Sequence, residues 1–125
     1  MSSPSAMRDR NPNQNERIWS NAEKTIARRV FDAALKRELH QVIQEAKQKA
    51  SRIKEPSDVW ELERYLTQRR KDIDRKYEFR SSQLTRVFGT LLSEHRITEE
   101  ELQGLGEDKM KAILSCADVL SHDAA

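Results

Sequence analysis

Between Asp58 and Leu92 no glycine or proline occurs before Gly89, and apolar residues recur at Val59, Leu62, Leu66, Ile73, Tyr77, Leu84, Phe88 and Leu91. Almost every step is three, four or seven residues, which is the spacing of one stripe along an α-helix and not the alternation of a strand. A single helix of about 35 residues is expected here. Pro56 marks its start, because proline has no backbone N–H and disfavours helical geometry at the preceding Glu55. Asp58 then has the place of an N-cap, with Glu61 three residues on as its capping-box partner.

The same reading divides the rest of the chain. Ser20 and Glu23 have capping-box spacing and open a first long helix to about Ile53. Its buried side carries Ile26, Val30, Phe31, Ala34, Leu35, Leu39, Val42, Ile43, Ala46, Ala50 and Ile53. Thr98 and Glu101 repeat the spacing ahead of a short element that stops at Gly104. Gly106 then opens a last helix with Met110, Ile113, Leu114, Ala117 and Leu120, and nothing beyond Leu120 reads as ordered. Residues 1–17, rich in Ser, Pro, Asn and Gln, read as a disordered tail. Residues 18–122 read as one all-α domain, with two long antiparallel helices and a small C-terminal helical head.

Length constrains how such a chain is stabilised. A helix of about 35 residues spans roughly 50 Å, whereas a compact domain of this size is only about 36 Å across. A hairpin of two such helices buries one thin seam. A second copy supplies the missing cover, so an elongated homodimer is expected, with Val59, Leu62, Leu66 and Ile73 of the central helix in its interface.

Composition agrees and excludes several classes. Hydrophobic residues make up 36% and charged residues 35%, with three Gly and three Pro, a balance that suits long solvated helices. The net charge of +2 implies neither a nucleic-acid nor a membrane partner. Residues 1–57 hold 12 Lys+Arg against 7 Asp+Glu, and 58–125 hold 11 against 14, a basic front half and an acidic back half that can pair with each other within the chain or between two chains. Cys116 is the lone cysteine, which rules out an internal disulfide and favours a reducing, cytoplasmic setting. There is no apolar run of membrane-spanning length and no apolar core of a secretion signal at the N-terminus.

Catalytic and metal chemistry find little support. His40, His95, His122 and Cys116 share no metal-ligand spacing. Gly104-Leu105-Gly106 has no preceding strand, and Glu107 and Asp108 place negative charge where a phosphate would sit, so it reads as cap and linker. Asp72 and Asp74, two apart, do not face one another on a helix. No enzyme, cofactor or metal is expected. The basic run from Arg69 to Arg80 allows three readings: a solvated face, a protein-docking surface or a DNA-groove helix. Its interleaved acids, with Asp72–Lys76 and Arg70–Asp74 at pairing distance, favour the first. Trp60, in the first turn of the central helix, is either a core or interface filler or an exposed anchor for a partner.

These residues also carry a resemblance. Asp58-Val59-Trp60-Glu61-Leu62, Arg70, Ile73-Asp74, Lys76-Tyr77 and Arg80 resemble the central helix of the cyanobacterial fluorescence recovery protein family. The similarity extends colinearly through Trp19-Ser20, Phe31, Arg37-Glu38-Leu39, Val87-Phe88, Leu91-Leu92, Glu101-Leu102 and Asp108-Lys109, covering Trp19 to Ile113. The resemblance implies an all-helical, non-enzymatic homodimer. It further implies binding to photoactivated orange carotenoid protein, faster return of that protein to its orange form, and help in detaching it from the phycobilisome. Trp60 and Arg70 match a tryptophan and an arginine of the family's partner surface. Glu63 and Arg64 stand where the family has histidine and aspartate. Arg86 and Ala112 stand where it has phenylalanine and lysine. Exchanging aspartate for arginine inverts a charge at the partner surface. The resemblance therefore places Trp60, Glu63, Arg64, Arg70 and Arg86 at a partner-binding surface for orange carotenoid protein. The alternative is a dimeric helical scaffold or adaptor for a different protein partner.

Overall fold

The computed structural model describes residues 18–124, and the expected N-terminal tail lies outside the described residues. Its elements are α1 (Asn21–Ser51), α2 (Pro56–Lys76), α3 (Leu84–Ser93), a 3-10 turn (Glu100–Leu102) and α4 (Glu107–Ala124). The fold is all-α, with no strand among the described residues. None of these helices is long and apolar enough to cross a membrane.

The start of α1 carries the expected capping box. The Glu23 N–H donates to the Ser20 hydroxyl at 3.1 Å, and the Ser20 N–H donates to the Glu23 carboxylate at 2.9 Å. The same carboxylate accepts from the Gly106 N–H at 2.8 Å and from the Lys109 ammonium at 3.4 Å, which ties the first turn of α1 to the first turn of α4. Helix α2 begins three residues earlier than the expected cap implies. Glu55 is the N-cap and Pro56 the first helical residue, a position where a missing N–H costs nothing. Asp58, expected as the N-cap with Glu61 as partner, is instead the third helical residue. Its carboxylate accepts from the N–H groups of Lys54 and Glu55 at 2.9 and 3.0 Å. Helices α1 and α2 run antiparallel: Tyr65 donates to Glu45 near the hairpin's turn, and Arg69 reaches Glu38 further along.

The expected continuous helix to Leu92 is corrected, because α2 ends at Lys76 and the chain re-enters a helix only at Leu84. Tyr77 is extended, with φ −97° and ψ 95°. The rings of Tyr77 and Phe79 both stand edge-on to Phe31, at 5.4 and 5.2 Å between centroids. Residues two apart point in nearly opposite directions on a helix and to the same side in extended chain. Placing both rings on Phe31 therefore requires leaving the helix, and the poor helix formers Ser81 and Ser82 assist. The hairpin's second arm is 21 residues long against 31 in α1.

The shortening lets α3, the 3-10 turn and α4 fold back onto the first half of α1. The core lies there, where Val30, Phe31 and Ala34 of α1 meet Leu84, Phe88, Leu91, Leu102 and Ile113. The head reaches along α1 as far as Gln41, which accepts from Arg96 at 2.9 Å; the turns beyond lie beside α2, and Leu39 and Ile43 keep 44% and 50% exposure. The 3-10 turn has its expected box: Thr98 N–H donates to Glu101 at 3.0 Å, and Glu101 N–H to the Thr98 hydroxyl at 3.3 Å. Gly104 follows it at φ 104°, and a Cβ there would stand 2.5 Å from Ile26 Cδ1.

Glu38 joins the hairpin to the head. It is fully buried, and one of its carboxylate oxygens accepts from Arg69 and Lys76, each at 2.8 Å. The other accepts from the Tyr77 hydroxyl at 2.8 Å and faces Arg96 Nε at 3.3 Å. Lys76 and Arg96 both bridge onward to Glu94, at 2.7 and 2.8 Å. Burial alone would raise the Glu38 carboxyl, but the hydrogen bonds from Lys76, Arg69 and Tyr77 outweigh it and hold the group below its ordinary value. Burial and the Glu38 carboxylate together push the Tyr77 phenol well above its usual range. The pairing of a basic front half with an acidic back half is largely reversed. Glu38 and Glu23 of the front half meet Arg69, Lys76, Arg96 and Lys109 of the back half, and Arg37–Glu101 runs the expected way.

Two outcomes follow for stability. Glu38→Gln takes the counter-charge from half-buried Arg69 and leaves Lys76 and Arg96 with Glu94 alone, and is expected to cost about 3 kcal/mol, a fall of about 10 °C in Tm at fixed protein concentration. The folded carboxyl binds its proton less readily than the unfolded one. Stability is therefore full above the ordinary value of 4.5 and falls as pH drops through the depressed folded value. Thermal melts by circular dichroism between pH 3 and 7 check both, and the variant should lose part of the wild-type acid limb. Gly89 packs α3 on α4 so closely that a Cβ would stand 2.6 Å from Cys116 Sγ and 2.7 Å from its Cβ. Gly89→Ala should therefore destabilise by about 2 kcal/mol despite a better helix propensity, with denaturant unfolding as the readout. Adding Cys116→Ala should restore only part of the loss.

Candidate protein-docking face

Helix α2 has two opposed faces, set by the 3.6-residue period. Its inner side carries Arg69, Ile73 and Lys76, and Ile73 is 8% exposed within a single chain. Its outer side carries Trp60, Glu63, Arg64 and Arg70 at helical steps of three, four and ten residues, and all four are exposed. Trp60 is 61% exposed in the single chain, which excludes a core filler and leaves an interface filler or an exposed anchor. Arg70 stands about 15 Å further along the helix, with its side chain 86% exposed and only a 4.0 Å approach to Asp74. Glu63 accepts from the Thr67 hydroxyl at 3.0 Å, which leaves its charge free for a partner.

The outer face is oriented from beneath. Tyr65, half-buried against α1, donates to Glu45 and stacks under the Lys49 ammonium at 5.0 Å, while Arg69 holds Glu38. The Tyr65 hydrogen bond lowers the Glu45 carboxyl, while burial followed by Glu45 raises the Tyr65 phenol, which keeps both in the states that hold the hairpin together. Chemically, a convex helix face with an indole, a guanidinium and unpaired charges offers docking area and hot-spot side chains.

The remaining candidates are distributed differently. Val59 and Leu66 are exposed at 42% and 40%, and Leu62 is half-buried, while Ile73 is taken up inside the chain. Arg86 lies on α3 away from the Trp60 face, donating through Nε to Gln83 at 2.9 Å and approaching Glu78 at 3.8 Å. The expected Asp72–Lys76 pair is corrected: Lys76 turns inward to Glu38 and Glu94, and Asp72 accepts from Gln68 at 2.9 Å. With Arg69 and Lys76 turned inward and Arg80 on Glu78, the basic run is not a continuous cationic face. Among the described residues no group of three His, Cys, Asp or Glu side chains is placed to hold a metal.

Sequence reasoning missed the Glu38 cluster as an organising feature. The signal was present: Glu38 falls seven residues after Phe31 and four after Ala34, on the apolar stripe of α1, and Arg69 and Lys76 are seven apart on one side of α2.

Comparison with known proteins agrees with this architecture. The family model described as photoprotection regulator fluorescence recovery protein matches residues 19–117. The fluorescence recovery protein of Synechocystis sp. PCC 6803 is 37% identical over 102 residues, covering 82% of this chain and 94% of that protein. The solved structure of the Fremyella diplosiphon fluorescence recovery protein superimposes with a TM-score of 0.78 at 36% identity, covering 81% of this chain and 99% of that one. The Synechocystis structure gives 0.77 at 37% identity with the same coverage. An all-helical chain matched along nearly its whole described length in both sequence and fold belongs to the fluorescence recovery protein family of photoprotection regulators.

Proposed function

We propose that the chain is a non-catalytic, protein-binding regulator that binds photoactivated orange carotenoid protein and speeds its return to the orange form. In this reading it works in the cytoplasm and reverses non-photochemical quenching at the phycobilisome. It needs no cofactor, nucleic acid or membrane insertion. Family membership supports the regulatory role, and the exposure of both Trp60 and Arg70 on the braced outer face of α2 supports docking there. A binder shifts a population by preferring one conformation. It speeds the interconversion only by holding the intermediate arrangement more tightly than the red form. A rigid face with separated anchors suits that task, because little ordering cost falls on the regulator.

The working unit in this proposal is a homodimer. Leu39 and Ile43 of α1 and Val59 and Leu66 of α2 are exposed apolar side chains on the thin half of the hairpin, the part that the head does not cover. Covering them with a second copy removes that apolar area from water. Leu62 extends the same stripe, and Ile73 supports it from inside the chain.

One observation favours a second reading. Glu63 and Arg64 are exposed on the same outer face as Trp60, so the departure from the histidine–aspartate pair of the resemblance lies where a partner would dock. A scaffold or adaptor for a different protein would keep the fold and change these side chains.

The decisive assay mixes the purified protein with photoconverted orange carotenoid protein in the dark and follows the red-to-orange absorbance change. Acceleration at up to equimolar protein is expected. Trp60→Ala and Arg70→Glu should each weaken binding by about 30-fold with an unchanged helical spectrum. No acceleration by the folded wild-type chain would contradict the proposal and favour the adaptor. For the dimer, Leu66→Glu should shift sedimentation from dimer to monomer. An unchanged sedimentation coefficient would place the interface elsewhere.

A further inference from the structure

Between the last turns of α2 and the outer side of α3 lies an open cleft of about 320 Å³, away from the Trp60 face. Five cations line it, Arg69, Arg75, Lys76, Arg86 and Arg96, against Asp72 and Glu94. Counting Glu38 behind the wall as a third carboxylate, five positive charges face three negative ones, a surplus of two.

The surplus is localised. Arg69, Lys76 and Arg96 are engaged by Glu38 and Glu94 at 2.7 to 3.3 Å. Arg75 is exposed and makes no ion pair among the described residues. Arg86 has only the 3.8 Å approach to Glu78, whose carboxylate also engages Arg80. Two guanidiniums, one from α2 and one from α3, thus border the cleft with donors to spare, and each offers the planar fork that matches an oxyanion. Thr90 is among the lining residues and carries a hydroxyl.

We propose that this cleft binds a free dianionic oxyanion of phosphate type, held between Arg75 and Arg86, and that the anion links the C-terminal end of α2 to the head. Charge selects this occupant: a dianion cancels a surplus of two that a single carboxylate leaves half unanswered, and the cleft has room for the ion with part of its water shell. The carbonyl end of α2 opposes an anion, as do Asp72 and Glu94, so the expected dissociation constant is weak, on the order of 1 mM. This inference stands apart from the identity of any protein partner.

The test is an amide chemical-shift titration of the full chain with sodium phosphate at pH 7, with ionic strength held constant by sodium chloride. Saturable shifts centred on the amides of Arg75, Arg86 and Thr90 are expected. Arg75→Gln and Arg86→Gln, both at exposed or half-exposed side chains, should each weaken binding by roughly tenfold. Lys111→Gln, which removes the same charge from the surface of α4, should leave affinity unchanged. Shifts that stay linear with concentration would overturn the proposal. An equal loss in Lys111→Gln, or unchanged affinity in both arginine variants, would do the same. Saturation by sodium acetate at the same concentration would overturn the dianion assignment.

Discussion

A carboxylate with no solvent contact is costly unless its partners replace every interaction it had with water, and Glu38 meets that condition with four donors from three parts of the chain. Arg69 and Lys76 come from α2, Tyr77 from the extended link, and Arg96 from the turn after α3. Arg96 is in reach because α3 ends in a cap with His95 at φ 60°, in which the Arg96 N–H bonds back to the Leu91 carbonyl at 2.9 Å. The four partners are placed by three different pieces of backbone, so the carboxylate selects one relative arrangement of hairpin and head. An apolar residue at this position would fill the space without specifying which elements meet there.

The break after Lys76 follows from the same region. A continuous α2 would carry Tyr77 and Phe79 to opposite sides and leave Phe31 uncovered. With the break, the two rings and the Arg28 guanidinium, 4.6 Å from Phe79, close over it. The head then covers α1 only as far as Gln41. The two halves of the molecule are thereby given different characters: a packed core at one end, and a thin two-helix arm with exposed apolar and aromatic side chains at the other. Function is proposed at the thin end because surface there has no intrachain role to fulfil, while its geometry is still set by Glu38 and Tyr65 on the inner side of α2.

Much of this was legible in the sequence. The all-α class, the capping boxes at Ser20 and Thr98, the turn before Pro56 and the linker at Gly104 follow from local rules and are seen. The uninterrupted α2–α3 helix was misread because its apolar spacing is continuous, whereas the break is a tertiary demand made by Phe31, 46 residues before Tyr77. Asp58 was displaced by two effects of similar size, since proline at the first helical position fits as well as an acid at the cap. Buried charge is the hardest feature to read. Glu38, Arg69 and Lys76 look like any other members of an abundant charged set until the antiparallel pairing brings them together. The outer-face residues Trp60 and Arg70 could be placed on one helix from spacing alone, but not assigned to solvent, since a tryptophan at that position fills cores as readily as it marks surfaces.

Residue-resolved amide hydrogen exchange as a function of pH tests most directly whether one carboxylate unites hairpin and head. The account predicts that amides in the last two turns of α2 and in α3 share one opening free energy at neutral pH. As acid protonates Glu38, that protection should be lost first at the α2–head junction, while the first turn of α1 and α4, tied through Glu23 and Gly106, opens with its own carboxylate. If the end of α2 exchanged independently of α3 at neutral pH, or kept its protection after Glu38 had taken up its proton, the hairpin and head would be held together by apolar packing and the Glu23 and Arg37 contacts, and the central role given to Glu38 would be wrong.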